Sequence, residues 1–303
     1  MSAGEKNLVF IVSGGRTGTT FFGDYLSDVI DDCYSEHEPD LLVGLQPKTR
    51  KRIARFGIYH MVIGRIFKRT GIRNLAQRYR SGQLDNAATV KAIRRHRDNY
   101  HSSIEASLIV ESYYAWYGML GPLRQAYPKA RIASVIRDPR DWVRSWINYG
   151  GFYNHTDHIR WFGQSRINPT LAGDLEVQSK WAQMGHFEKT CWNWNLTYSL
   201  ISEFSNRDDA AKLFRFEDLF LLSNNNDTLE SFMNFVTQFS GRNYNYDAAK
   251  LSRKPSANQS KKTMPSWTEW SSTQARQMDK LCGALMRAYG YGFEAAWQEK
   301  LMS

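Results

Sequence analysis

The 303-residue sequence predicts a single-domain α/β fold built on a parallel central sheet. Three observations carry this expectation. Short apolar runs recur near residues 8–13, 108–112, 131–136 and 212–216, each the length of a buried strand. Amphipathic segments of helical length separate them, as in strands joined by helical crossovers. A hydrophobic content of 42% supplies one sizeable core. No repeat of fixed period and no low-complexity tract breaks the pattern, so residues 1–303 read as one domain.

The first element is Leu8-Val9-Phe10-Ile11-Val12. Ser13-Gly14-Gly15-Arg16-Thr17-Gly18-Thr19-Thr20 follows it, and a helix-like segment covers residues 21–30. Strand, small-residue loop and helix start form a nucleotide-kinase-like, P-loop type of unit. Such a loop points bare backbone N–H groups at an anion. Arg16 adds a forked cation, and Thr17, Thr19 and Thr20 add hydroxyls. A Walker A loop would need Gly-Lys-Ser/Thr, but Thr19 follows Gly18, and no lysine lies between Lys6 and Lys48. This disfavours an atypical P-loop kinase, which stays as the enzymatic rival. Alone, the loop also suits a plain glycine turn.

Ser35-Glu36-His37-Glu38-Pro39 closes this unit. The next segment, about residues 41–100, differs in composition. Between residues 41 and 98 lie fifteen Lys or Arg, opposed only by Asp85 and Asp98. That stretch carries +13, whereas the whole chain carries +10. It reads as a basic helical insertion. Tyr59, Val62, Ile63, Ile66 and Phe67 share one helical face, with Arg55, Arg65, Lys68 and Arg69 around it. Three readings stay open: a solvated insertion packed on the core, a lid recognising an anionic acceptor, and a surface touching anionic lipid headgroups. No nucleic-acid module is readable, so no nucleic-acid partner is expected.

The second apolar run ends at Glu111, followed by Ser112-Tyr113-Tyr114. The third, Ile132-Ala133-Ser134-Val135-Ile136, feeds Arg137-Asp138-Pro139-Arg140-Asp141 and Ser145. Pro139 suits the first position of a helix, with Asp138 as its N-cap. Arg137 and Ser145 then make a second anion site at a second strand end, which implies a ligand with two separated phosphate groups. Arg140 and Arg144 read as ion-pairing residues. Trp142, Trp146, Tyr149, Phe152, Tyr153, Trp161 and Phe162 read first as packing. The polar stretch 148–170, with His155 and His158, suits an acceptor-binding wall. The fourth run leads to Arg215-Phe216-Glu217-Asp218-Leu219.

Cys33, Cys191 and Cys282 stand far apart, against a disulfide framework or a zinc site; no metal is expected. The start of the chain is short and polar, and no apolar run reaches 18 residues. The expectation is a cytoplasmic protein without a transmembrane segment, with peripheral membrane contact through the basic segment as an option.

Together the Gly14–Thr20 loop, the Arg137/Ser145 pair, Arg215 to Leu219 and the ending Tyr289-Gly290-Tyr291 resemble the sulfotransferase family. These enzymes use 3′-phosphoadenosine 5′-phosphosulfate (PAPS). In motif style the chain is closest to the carbohydrate sulfotransferases. The resemblance spans about three quarters of the chain and omits about residues 41–100. It implies that Gly15, Arg16, Thr17, Gly18, Thr19 and Thr20 hold the 5′-phosphosulfate and that Arg137 and Ser145 hold the 3′-phosphate. Lys261 and Lys262 lie where relatives place a loop closing on that phosphate. Arg16 is implied as the cation at the leaving oxygen. Glu38, next to Pro39, matches a Glu-Pro pair of the carbohydrate group and is the first choice of general base. His37 and Glu111 are its rivals. Small-molecule relatives carry a catalytic histidine after the second strand, and this chain has none there. The implied activity is transfer of a sulfuryl group from PAPS to a hydroxyl of a carbohydrate or glycolipid acceptor. The rival outside enzymology is a basic adaptor on the same fold that binds anionic lipid or glycan.

Overall fold

Apolar residues fill both faces of the first strand. In β1 (Asn7–Ser13), Leu8, Phe10 and Val12 enter one core cluster, and Val9 and Ile11 enter the other. A strand with two buried faces belongs at the centre of a sheet covered by helices on both sides. The computed structural model describes residues 6–42, 47–150, 153, 166–221, 226–251 and 263–303, and puts β1 in that place. Its neighbours are β3 (Leu108–Ser112) and β4 (Arg131–Ile136). Outside these lie β2 (Cys33–His37) and β5 (Ala211–Arg215), giving the order β2-β3-β1-β4-β5, all parallel. The expected single-domain α/β class with a parallel central sheet is the fold observed.

The four apolar runs became β1, β3, β4 and β5. The fifth strand, β2, was not legible, because Cys33-Tyr34-Ser35-Glu36-His37 carries charge where a buried strand is normally apolar. Its register makes the reason plain. Glu36 stands directly beside Glu111 of β3, and the two residues are 3% and 1% exposed. Two carboxylates side by side in a dry sheet repel each other and lose hydration. Counter-ions must come from elsewhere in the chain.

The basic insertion supplies them. Its helices Pro47–Phe56, Ile72–Arg80 and Asn86–Ser102 lie over this edge. Arg52 donates its Nε–H to Glu36 at 2.7 Å, and the Tyr100 hydroxyl donates to the same carboxylate at 2.9 Å. The Arg97 Nε–H reaches both oxygens of Glu111, at 3.0 and 2.9 Å, and Arg97 Nη1 lies 3.4 Å from Asp40. Arg65 bonds the Asp40 carbonyl, and Arg73 pairs with Glu38 at 2.9 Å. Arg52, Arg65, Arg73 and Arg97 are all buried. The composition gave no sign that four of the belt's cations are internal. The belt's apolar face is turned around. Met61 is buried within a π-helical turn over Tyr59–Ile63, while Tyr59, Ile63, Ile66 and Phe67 are exposed.

Asp40 shows how strongly this network favours ionised carboxylates. Burial alone would raise its pKa, but Arg97, His60 at 3.5 Å and Arg65 hold it well below the usual carboxylate range. A depressed folded-state pKa gives stability that is fully present above the unfolded value, about pH 4. That stability is lost as pH falls through the folded value.

Replacing Arg97 by Gln strands Glu111 without its cation and removes one of the two that hold Asp40, so it should cost about 3–5 kcal/mol in urea unfolding. Lys91→Gln, on an exposed position of the same helix, should stay within about 0.5 kcal/mol of the parent. The variant should also lose less stability than the parent below about pH 4, because less carboxylate stabilisation remains to be titrated. Parental unfolding midpoints for Arg97→Gln would show that the edge does not depend on this cation.

Candidate functional site

The loop after β1 is bent by three residues with positive φ: Gly15 (73°), Arg16 (55°) and Gly18 (77°). Two indoles pin it. Trp142 donates its Nε1–H to the Gly15 carbonyl at 2.8 Å, and Trp146 donates to the Gly14 carbonyl at 3.2 Å. Both indoles come from the helix Pro139–Tyr149 behind β4. They approach so closely that a Cβ at Gly15 would lie 2.8 Å from the Trp146 ring. From the helix His186–Ser205, Tyr198 accepts the Gly14 N–H and donates to the Val135 carbonyl, both at 3.1 Å. Trans peptide geometry then turns the Arg16 N–H away from the indole that holds the Gly15 carbonyl.

The helix Thr19–Asp24 starts at the end of this loop, with Gly18 as its N-cap. Its first closing bond runs from the Phe22 N–H to the Gly18 carbonyl at 3.1 Å. The N–H groups of Thr19, Thr20 and Phe21 come before it and have no acceptor within the helix. Thr20 is exposed and Thr19 is buried. Thr17 is fully buried, and its hydroxyl donates to Ser13 Oγ at 2.7 Å. The expectation that the Thr17 hydroxyl faces a ligand is corrected: it closes the turn onto Ser13, and the residue is enclosed.

The two motifs predicted as separate anion sites touch each other. Arg16 donates its Nε–H to Ser145 Oγ at 3.1 Å, and Arg137 donates to the Arg16 carbonyl at 2.8 Å. The Arg16 guanidinium also lies 4.8 Å from the centre of the Tyr149 ring, and Arg137 lies 4.6 Å from that of Phe216. Burial lowers the pKa of Arg16, Tyr149 opposes this, and the like charge of Arg137 lowers it further. A guanidinium keeps its proton through such shifts. The cluster is therefore a concentration of positive charge at the adjacent ends of β1 and β4. The buried Arg137 Nε–H has no acceptor among the described residues. Ser145 accepts from Arg16 and still has its own proton to donate. Asp138 caps its helix through the Arg140 N–H at 2.9 Å, and Arg140 pairs with Asp138 and Glu294, both at 2.6 Å. These are the capping and pairing roles expected of them.

The three candidate bases stand in different surroundings. Glu38, at φ 45° just past β2, is 6% exposed. Arg73 Nη2 holds both of its oxygens, at 3.0 and 2.9 Å. His37 Nε2 lies 3.8 Å from the Glu38 carboxylate, and the His37 side chain is 26% exposed. A Cβ on Gly23 would fall 2.5 Å from the His37 backbone, so the end of β2 packs directly on the loop's helix. Glu111 is enclosed by Arg97 and is 1% exposed, which leaves it no path to an acceptor; it is a counter-ion of the fold. Lys261, Lys262, His155 and His158 lie outside the described residues. Arg73 was not singled out from sequence. It is 35 residues from Glu38 in a segment whose cations read alike, and no local pattern marks it.

No family model and no curated protein matches the chain. Solved structures similar to it include the sulfotransferase domain from the curacin biosynthetic pathway, at 13% identity and a TM-score of 0.44 over 98% of this chain and 96% of that one. The sulfotransferase domain of the Synechococcus PCC 7002 olefin synthase matches at 14% identity and 0.46, over 97% and 99%. A sulfotransferase from Mycobacterium tuberculosis H37Rv matches at 14% and 0.41, over 77% and 68%. Likenesses this distant carry no argument about chemistry, which rests on the geometry above.

Gly15→Ala should destabilise the protein by about 1–3 kcal/mol, through a strained backbone and a collision with Trp146. Gly82 has nearly the same φ, 72°, with nothing near its Cβ. Gly82→Ala therefore measures the strain alone. Equal losses of thermal stability in the two variants would show that the indole does not set the loop's shape.

Proposed function

We propose that this chain transfers a sulfuryl group from PAPS to a hydroxyl of an acceptor, a carbohydrate or a glycolipid. The observation that carries the reading is the joining of the two anion motifs through Arg16, Ser145 and Arg137. A donor with phosphate groups at both ends of a nucleoside needs two such motifs within one molecule's reach. The residues fit it: a buried Arg137 donor without a partner among the described residues, a serine proton to give, and a loop whose carbonyls are held away by indoles. The loop, Gly15 to Thr20, would take the phosphosulfate end, and Arg137 with Ser145 the 3′-phosphate. A Walker-type lysine is absent from the loop, which favours this donor over ATP.

In the transfer, a bond forms between the acceptor oxygen and sulfur. The bond from sulfur to the bridging phosphate oxygen breaks, and adenosine 3′,5′-bisphosphate leaves. Negative charge grows on that bridging oxygen. Arg16 would stabilise it by charge, since an arginine gives up no proton. The acceptor's proton needs a base. The pair His37–Glu38 sits against the helix of the donor loop and would supply it, with Glu38 released on one oxygen by Arg73 or His37 receiving the proton first.

The donor assignment is tested with two nucleotides. Arg137→Ala should weaken binding of PAPS by the loss of charge-assisted bonds, each worth about 1.5–3 kcal/mol. Adenosine 5′-phosphosulfate, which lacks the 3′-phosphate, should bind mutant and parent alike. Arg16→Ala should abolish most turnover, and Arg16→Lys should keep part of it. Equal losses for both nucleotides, or ATP binding without PAPS binding, would overturn the reading.

The base is tested separately. Glu38→Gln should lower kcat by about 10²–10⁴-fold with donor binding retained, and the acidic limb of its pH–rate profile should vanish. His37→Gln should keep the limb if Glu38 receives the proton. The reverse pattern would move the role to His37.

A further inference from the structure

The basic insertion has a second face that the transfer reaction does not use. Between the helices Ile72–Arg80 and Asn86–Ser102 and the turn at residues 57–70 lies a cavity of about 780 Å³. No residue of the Gly14–Thr20 loop lines it, and neither Arg137 nor Ser145 does. Lys68, Arg69, Arg78 and Arg95 do, and among the described residues no carboxylate shares the lining. His96 adds no charge near neutrality, because burial, helped by His60 and Arg97, drops it to about 3. Asn74, 2% exposed, also lines the cavity. Its Oδ1 has no partner among the described residues, while its Nδ2 donates to the Thr70 carbonyl at 2.8 Å. Such a lining matches a ligand that carries a phosphate for the cations and a hydroxyl for the Asn74 oxygen.

Two of the residues lining this cavity, Tyr59 and Phe67, belong to an exposed apolar stretch. Among the described residues, five of the eleven exposed large hydrophobic side chains fall within residues 58–67: Ile58, Tyr59, Ile63, Ile66 and Phe67. Ile58 and Phe67 are 63% and 66% exposed. An exposed apolar stretch that contributes Tyr59 and Phe67 to the wall of a cationic cavity fits a surface with hydrocarbon below and phosphate above.

We propose that residues 57–70, with the cavity behind them, form a docking site for an anionic phospholipid whose headgroup bears a hydroxyl. Ile58, Ile63, Ile66 and Phe67 enter the acyl boundary. Arg69, Arg78 and Arg95 take the phosphate, and Asn74 accepts from the headgroup hydroxyl. Among the described residues no helix is long and apolar enough to cross a membrane, so contact through this face would be peripheral. The electrostatic part of such binding weakens as salt screens it.

The test is co-sedimentation of the full chain with vesicles of phosphatidylcholine alone and of phosphatidylcholine and phosphatidylglycerol in equal parts. The parent should bind only the second. Arg69→Gln with Arg95→Gln should lower partitioning about fivefold per cation, the equivalent of about 1 kcal/mol each. Ile66→Ser with Phe67→Ser should lower it about tenfold or more. All four positions are exposed, so both variants should melt with the parent. A third arm adds glycerol 3-phosphate. If it raises the melting temperature and frees the parent from vesicles while the Ile66/Phe67 variant still binds, the cavity takes a soluble phosphate and the membrane assignment is wrong. The assignment also fails if the parent ignores phosphatidylglycerol, or if either double variant binds undiminished.

Discussion

Two glutamates placed shoulder to shoulder in the sheet set the terms for the rest of this molecule. Glu36 and Glu111 are register partners on adjacent strands and are almost fully enclosed. Left alone they would push β2 off the edge, because neither water nor distance relieves them. Arg52, Arg97 and Tyr100 relieve them instead, and all three belong to the insertion. The sheet edge and the insertion are thus one electrostatic unit. What reads by composition as an accessory surface is in part the inside of the fold.

That unit also sets where the candidate base stands. Glu38 lies two residues beyond Glu36, in a left-handed conformation that Arg73 secures from the insertion. His37 between them packs on the helix that follows the Gly14–Thr20 loop. On the other side of β1 the loop is held by a different device. Trp142, Trp146 and Tyr198 each spend their single polar group on the backbone of Gly14 or Gly15. Charge organises one flank of the site, and indole and phenol hydrogen bonds organise the other.

What could be read in the sequence was what is encoded locally. β1, β3, β4 and β5 announce themselves as apolar runs, and the Gly14–Thr20 loop, the Asp138 cap and Pro139 are legible because each depends on neighbours within a few residues. β2 was missed because its charged residues are satisfied by partners 16 and 64 residues away. The same distance hid Arg73 and made Glu111 look available. Trp142 and Trp146 were read as packing, which they are. Their N–H bonds to glycine carbonyls depend on how two strand ends meet, and no pattern in the chain expresses that. Thr17 shows the converse: a hydroxyl in a loop motif, turned inward by a serine four residues before it.

The pairing of β2 with β3 also bears on the order in which the chain can assemble. The central strands β3, β1 and β4 pair through parallel ladders and bury mostly apolar side chains on both faces, with Glu111 as the one buried charge among them. β2 cannot follow by collapse, since docking it bare would bury Glu36 against Glu111. It must wait until residues 52, 97 and 100 have been brought over the edge, and closing those loops is the slow, entropic part of a non-local topology. Stable docking of β2 is therefore tied to the arrival of those residues. A chain halted at that stage would have a complete hydrophobic centre and an open, unpaired border on β3, the kind of border that recruits strands from other molecules.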